Sequence, residues 1–288
     1  MLVGKDEDIF VSPKQYTLYK MTNREFHPSS LLQSDIIIAK VFSKQILICV
    51  KSYLNIYTAE GKILHTFEIT NISLGKLAYP ENNEKNNLLC ISDSKNEGIV
   101  KIYDLLSQGI KEIKAHKSPI FRMCLNNEGN LLATCSIKGT IIRIFSIPSG
   151  EKLYTFRSGF DNILNFCLNF SKDSKKLIST FNNGFLYIFN IKEELGDHNN
   201  ENNQNIFLNL SKSILPKDLL GINWPYISYK LNDNKDINLV KFDNNDNNKA
   251  FCLTSNGVYY MLNINYNDKT IEKISEIKIQ KLNSNKLN

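Results

Sequence analysis

Short apolar runs rich in Ile, Val, Tyr and Phe recur along the whole chain, separated by turns rich in Gly, Asn and Lys. Runs of that length read as strands rather than helices. A landmark closes a β-branched run at regular places: Tyr19 in TLYKM, Tyr57 in LNIYTA, Tyr103 in VKIYDL, Phe145 in IRIFSI, Phe189 in LYIFNI and Leu262 in YYMLNI. Successive landmarks lie 38, 46, 42, 44 and 73 residues apart. The first four offsets bracket the ~40–45 residues of a four-stranded propeller blade, and the last is one blade plus roughly thirty residues. Ahead of most landmarks a second strand is predicted, in ILICV, LLCIS, LLATCS, KLISTF and AFCLTS. Turns such as SIKGT, FNNG and TSNG join the two strands of a pair.

One such unit has too little core to be stable alone, so neighbours must stack, and a closed ring removes exposed sheet edges. The predicted fold is all-β: a WD40-like β-propeller with degenerate blades, in which Tyr103–Asp104 comes nearest to the Trp-Asp dipeptide. Six blades are recognisable, beginning roughly at residues 3, 36, 75, 119, 163 and 236. A ring of the seven-blade type would need its first blade ahead of residue 1, so the ring is expected to be open or completed upstream. Residues 1–288 are expected to form a single propeller domain carrying one insertion at about 192–225.

That insertion falls between the third and fourth strands of the fifth unit. KEELGDHNNENNQN reads as a polar, flexible spacer. In the following IFLNLSKSILPKDLLGINW, residues Ile206, Phe207, Leu210 and Ile214 share one face at helical spacing. Pro216 then interrupts the pattern ahead of a second cluster, Leu219, Leu220, Ile222 and Trp224. Two readings stand: a helix packed on the propeller's side, or an amphipathic segment entering a membrane interface through Phe207, Leu210, Ile214, Leu219, Leu220 and Trp224.

Composition narrows the classes. With 42% hydrophobic residues in 288, the chain can bury a full core, which argues against wholesale disorder. The balance of 35 basic to 29 acidic residues, net +6, permits attraction to anionic surfaces. It lacks the dense basic stripe of a nucleic-acid binder, so no nucleic acid partner is expected. No apolar run approaches the ~18–20 residues of a membrane span, and MLVGKDEDIF carries acids where a secretory signal would be apolar. A cytoplasmic monomer is expected. The 6 cysteines are dispersed singly in apolar strands, with no C-x-x-C pair and no histidine at ligand spacing. They read as reduced core residues, and neither metal nor cofactor is predicted. Without paired carboxylates or a nucleophile–His arrangement, catalysis is not expected.

One strand end stands out. In EKLYTFRSG the strand closes on Arg157, then Ser158 and Gly159. Taken alone, this is a solvated strand end. The surrounding block, AHKSPIFRMCLNNEGNLLATCSIKGTIIRIFSIPSGEKLYTFRSG from Ala115 to Gly159, resembles the signature region of the PROPPINs, β-propellers that bind polyphosphoinositides. The resemblance extends over nearly the whole chain, with the family's first blade lacking, and the insertion sits where these proteins carry a membrane-inserting loop. In that family the blade ends on two arginines, which point into two headgroup pockets on adjacent blades.

The resemblance implies a phosphatidylinositol 3-phosphate or 3,5-bisphosphate pocket lined by His116, Thr134, Ser136, Gly139, Thr140, Arg143 and Arg157. The chemistry suits a phosphate monoester, which a guanidinium fork, hydroxyls and backbone N–H groups hold well. The second pocket departs from the pattern. Ser158 replaces the second arginine, and Phe181, Phe185 and Tyr187 stand where Ser, Thr and His are usual. It is expected to be dead or rebuilt. Kinship further implies a peripheral-membrane protein of autophagosomal precursors, endosomes or vacuoles, with protein partners from the autophagy or membrane-traffic machinery. The competing reading is a WD40 interaction scaffold that binds no lipid.

Overall fold

The computed structural model describes residues 9–12, 17–22, 25–31, 36–42, 45–50, 53–58, 61–69, 76–79, 87–92, 98–159, 164–191, 222–231 and 238–278. Among these, the regular structure consists of twenty-three strands in six antiparallel sheets. The first sheet has the order β1 (Ile9–Ser12), β2 (Thr17–Thr22), β3 (Glu25–Leu31). Five four-stranded meanders follow. The first joins β4 (Ile36–Phe42), β5 (Gln45–Val50), β6 (Tyr53–Thr58) and β7 (Ile63–Glu68). The next joins β8 (Leu77–Ala78), β9 (Leu88–Ser92), β10 (Ile99–Asp104) and β11 (Ile110–Lys114). Then come β12 (Ile120–Leu125), β13 (Leu131–Ser136), β14 (Ile141–Ser146) and β15 (Lys152–Arg157). A further sheet contains β16 (Asn165–Phe170), β17 (Lys176–Phe181), β18 (Phe185–Asn190) and β19 (Ile227–Lys230). The last contains β20 (Asn238–Phe242), β21 (Lys249–Thr254), β22 (Val258–Asn265) and β23 (Thr270–Lys278).

The predicted strand pairs fall where the sequence pattern put them. The landmarks Tyr57, Tyr103, Phe145, Phe189 and Leu262 all lie on the third strand of a four-stranded sheet, and ILICV, LLCIS, LLATCS, KLISTF and AFCLTS form the second strands. Three of the joining turns close the same way: Gly139 N donates to Ser136 O at 2.9 Å, Gly184 N to Phe181 O at 3.1 Å and Gly257 N to Thr254 O at 3.0 Å. The insertion leaves after β18 and returns before β19; its residues 192–221 lie outside the described residues.

The chain falls into two compact units, Met1–Gly129 and Asn130–Asn288. In the first, Leu47, Cys49, Leu54, Ile56, Leu77 and Leu89 form one apolar core. In the second, Ile178, Leu186 and Ile188 pack with Val240, Cys252, Leu262 and Ile264. Fully burying each such Leu or Ile side chain contributes about 1.5–3 kcal/mol. Second strands other than β21 are covered on both faces, as in Leu132–Ser136 and Leu177–Phe181. The fourth strands β7, β11, β15 and β23 are largely half-buried or exposed. A charged residue that needs both a rigid backbone and access to solvent is therefore best carried on the fourth strand, where Arg157 lies.

All six cysteines are free thiols, and Cys49, Cys90, Cys135 and Cys252 are buried. Desolvation pushes Cys49 up to about 11 and Cys135 to about 12. Such thiols stay protonated near neutral pH and behave as small hydrophobes.

Candidate functional site

Strand register decides which predicted residues can act together. In the second unit Thr134 pairs with Arg143, and Arg143 with Thr155. Two residues along, Ile141 pairs with Arg157. Directly paired residues project to the same face and successive residues to opposite faces. Thr134, Ser136, Arg143, Thr155 and Arg157 therefore share one face of β13–β14–β15. The opposite face carries Ala133, Cys135, Ile142, Ile144 and Phe156, all buried. Sequence reasoning missed Thr155, although the alternation in YTFR would have placed it beside the arginines.

The cationic face is half-open. Arg143 and Arg157 are half-buried, and desolvation holds the Arg143 guanidinium below its ordinary value. A partly dehydrated cation gains from an anionic partner more than one in bulk water does. Arg157 Nε donates to Gly159 O at 2.9 Å, which fixes the base of its guanidinium. Thr140 is half-buried at the start of β14, beside the Ser136–Gly139 turn. Gly139 has φ +70°, in the left-handed region that favours glycine. Its placement brings the turn backbone to the edge of the same ladder.

Two predicted residues sit differently from simple pocket liners. Thr134 is fully buried, and its hydroxyl donates to Arg143 O at 3.4 Å. Its described contact supports the arginine's strand. His116 belongs to the first unit, in the loop after β11, where it is half-buried. Its N–H donates to Gly98 O at 3.0 Å. Gly98 has φ +76°, and a Cβ there would lie 1.9 Å from the His116 carbonyl oxygen, so only glycine admits this loop.

Around the residues expected at the second pocket, aromatic side chains pack together. Ser158 extends the ladder beyond Arg157 on the face of Phe156. It is buried, and its hydroxyl donates to Gly139 O at 3.0 Å. Phe156 meets Phe189 of β18 at 4.8 Å between ring centroids. On that same face of β18, Phe185 stacks on Tyr187 at 5.7 Å and 9°, and Phe181 tilts against Tyr187 at 5.2 Å. Burial pushes the Tyr187 phenol pKa up, partly offset by a hydrogen bond with Asn183. This stack offers an anion almost no donors, and burying a charge without them is strongly unfavourable.

Of the predicted membrane-facing residues, Phe207, Leu210, Ile214, Leu219 and Leu220 lie outside the described residues. Trp224 is described and half-buried. The end of the insertion is extended: Asn223 forms a parallel bridge with Phe156. Arg157 N donates to Asn223 O at 2.9 Å, and Asn223 N to Thr155 O at 2.9 Å. No helix among the described residues is long and apolar enough to cross a membrane. Among the same residues no cluster of His, Cys, Asp and Glu could hold a metal ion.

Comparison with known proteins bears on this geometry. Residues 9–215 match the family model described as PROPPIN. Autophagy-related protein 18 of Caenorhabditis elegans is 28% identical over 190 residues, 65% of this chain and 46% of its own length. WD repeat domain phosphoinositide-interacting protein 2 of Mus musculus is 32% identical over 160 residues, 54% of this chain and 36% of its own. The chain thus spans less than half the length of these curated relatives. Among solved structures, Kluyveromyces lactis Hsv2 superposes with a TM-score of 0.74 at 19% identity, covering 97% of this chain and 85% of that one. A complex of KlAtg21 with the coiled-coil of AgAtg16 gives 0.70 at 19% identity, covering 97% and 84%. The fold is a β-propeller.

Proposed function

The chain belongs to the PROPPIN family, and from that premise we propose that it is a non-enzymatic, peripheral-membrane effector in autophagy-type or endolysosomal traffic. It binds phosphatidylinositol 3-phosphate or 3,5-bisphosphate through one headgroup pocket, as a single propeller domain with its insertion turned to the membrane. The observation that carries this reading is the pair of guanidinium groups, Arg143 and Arg157, on one half-open face with Thr155 and Ser136. A phosphate offers several acceptor oxygens, which two such groups and nearby hydroxyls can satisfy together. Gly139 and Thr140 complete the proposed set, with Thr134 supporting it from within the sheet. A single headgroup contact gives limited residence on a bilayer, and stable anchoring takes a second signal; the apolar residues of the insertion would supply it.

The second reading is a scaffold that recruits proteins without binding lipid. The aromatic residues at the second position favour it, because two headgroup contacts gain by avidity and one does not. The KlAtg21 complex makes an α-helical partner a reasonable class to test under either reading. Flotation with vesicles containing phosphatidylinositol 3-phosphate separates the two. The wild-type chain is expected to float, and the Arg143→Ala/Arg157→Ala double variant to stay in solution with its melting temperature unchanged. Flotation of the folded double variant would overturn the headgroup reading.

A further inference from the structure

β15 is the outermost strand of its sheet, so one of its backbone edges would ordinarily face solvent. That edge is taken by a segment more than sixty residues away in sequence, as the Arg157 N–H and the Thr155 carbonyl both bond to Asn223. The Asn223 side chain is exposed, and both of these bonds are backbone ones. Arg157 is thereby held by Asn223 on the outer edge, while the next residue, Ser158, donates its N–H to Thr140 O on the β14 side at 3.1 Å. Immediately afterwards Tyr226 N donates to Ile188 O at 2.7 Å, returning the chain to its own sheet beside β18. The end of the insertion thus spans two sheets, and it touches the first at the residue that carries the guanidinium.

We infer that the backbone of Asn223 is a positioning element for Arg157, which ties the base of the insertion to the headgroup pocket. This inference rests on the proposed role of Arg157 and adds a link that role does not require. A strand end bonded on one side only frays, and a guanidinium displaced by an ångström loses the alignment that bidentate contacts need. Coupling of this kind is reciprocal: occupying the pocket must steady Asn223 as much as Asn223 steadies the pocket.

Calorimetric titration of the full chain with soluble inositol 1,3-bisphosphate, a headgroup without a membrane, tests the link. Asn223→Pro removes the N–H that bonds Thr155, and is expected to weaken binding about tenfold while the melting temperature holds. The conservative variant Asn223→Ala keeps both backbone bonds and should restore wild-type affinity. Arg157→Ala, measured alongside, should weaken binding more than Asn223→Pro does, by about ten- to 150-fold. If Arg157→Ala weakens binding to that extent and Asn223→Pro binds like wild type, the positioning link is wrong. If Arg157→Ala itself binds like wild type, the headgroup reading fails first. Amide hydrogen exchange on the wild-type chain serves where Asn223→Pro does not fold. Exchange at Asn223 and Arg157 should slow when the headgroup is added; unchanged exchange at Asn223 with a saturated pocket would overturn the inference.

Discussion

Two neighbouring sheets of the second unit present equivalent rows of residues with opposite chemistry. In one the row is Thr134–Arg143–Thr155, with Ile141–Arg157 beside it. In the next it is Ser179–Tyr187–Ser228, with Phe185–Lys230 beside it. The small hydroxyl residues recur, and the joining turns close on the same glycine hydrogen bond. What differs is the central position, arginine in the first and tyrosine in the second, and its neighbours. Arg143 is half-open and partly desolvated, whereas Tyr187 is buried among Phe181, Phe185 and Phe189. The same ladder therefore serves as an anion-ready face in one sheet and as packing between sheets in the other. Backbone architecture leaves that choice open, and a few side chains make it.

The comparison breaks most visibly in stability. Phe189 is fully buried against Phe156, so Phe189→Ala should cost about 3–5 kcal/mol. Denaturant unfolding measures this, and a loss no larger than that of Arg143→Ala would show that the aromatic face is not core. A smaller effect, of opposite kind, is expected on the cationic face. Arg157→Ala should weaken headgroup binding by about 1.5–3 kcal/mol with little change in unfolding free energy, read by calorimetry and denaturation on the same samples.

Smaller again, in headgroup binding, is the response to Ser158→Arg. It removes the hydroxyl bond to Gly139 O and puts a charged side chain at a buried position, which lowers stability, and it should leave the stoichiometry at one headgroup per chain because the aromatic side chains of β17 and β18 remain. Two headgroups bound would mean that the stack yields to an anion. The smallest expected change is spectroscopic. Trp224 is the chain's only tryptophan and is already half-buried beside the Asn223 bridge. Vesicles with phosphatidylinositol 3-phosphate should therefore shift its emission only modestly to the blue, with partial shielding from aqueous quenchers. A full shift without lipid would place Trp224 wholly within the protein.

The repeat was legible because each unit restates the same local physics: a continuous apolar second strand, a glycine turn, and a third strand ending on a landmark. The turn signals SIKGT, FNNG and TSNG each became the same hydrogen-bonded turn. The arginines were legible through resemblance, and the substituted second pocket through the loss of charge at Ser158 and of hydrogen-bonding groups at Phe181 and Phe185. Thr134 was legible only as a hydroxyl in the right motif; that it lies sealed within the sheet, bonded to a backbone carbonyl, depends on what covers β13.

From the sequence alone came the meander, its period and the identity of the charged and aromatic positions, since period-two alternation and glycine turns act over a few neighbouring residues. Which face each residue joins, which hydroxyl is sealed, and where the insertion returns were decided by tertiary structure. Asn223 shows the reason. Nothing in INWPY marks it as a partner of a strand that closes at Arg157, because a backbone bridge carries no side-chain signature and forms only after two sheets have brought distant segments together.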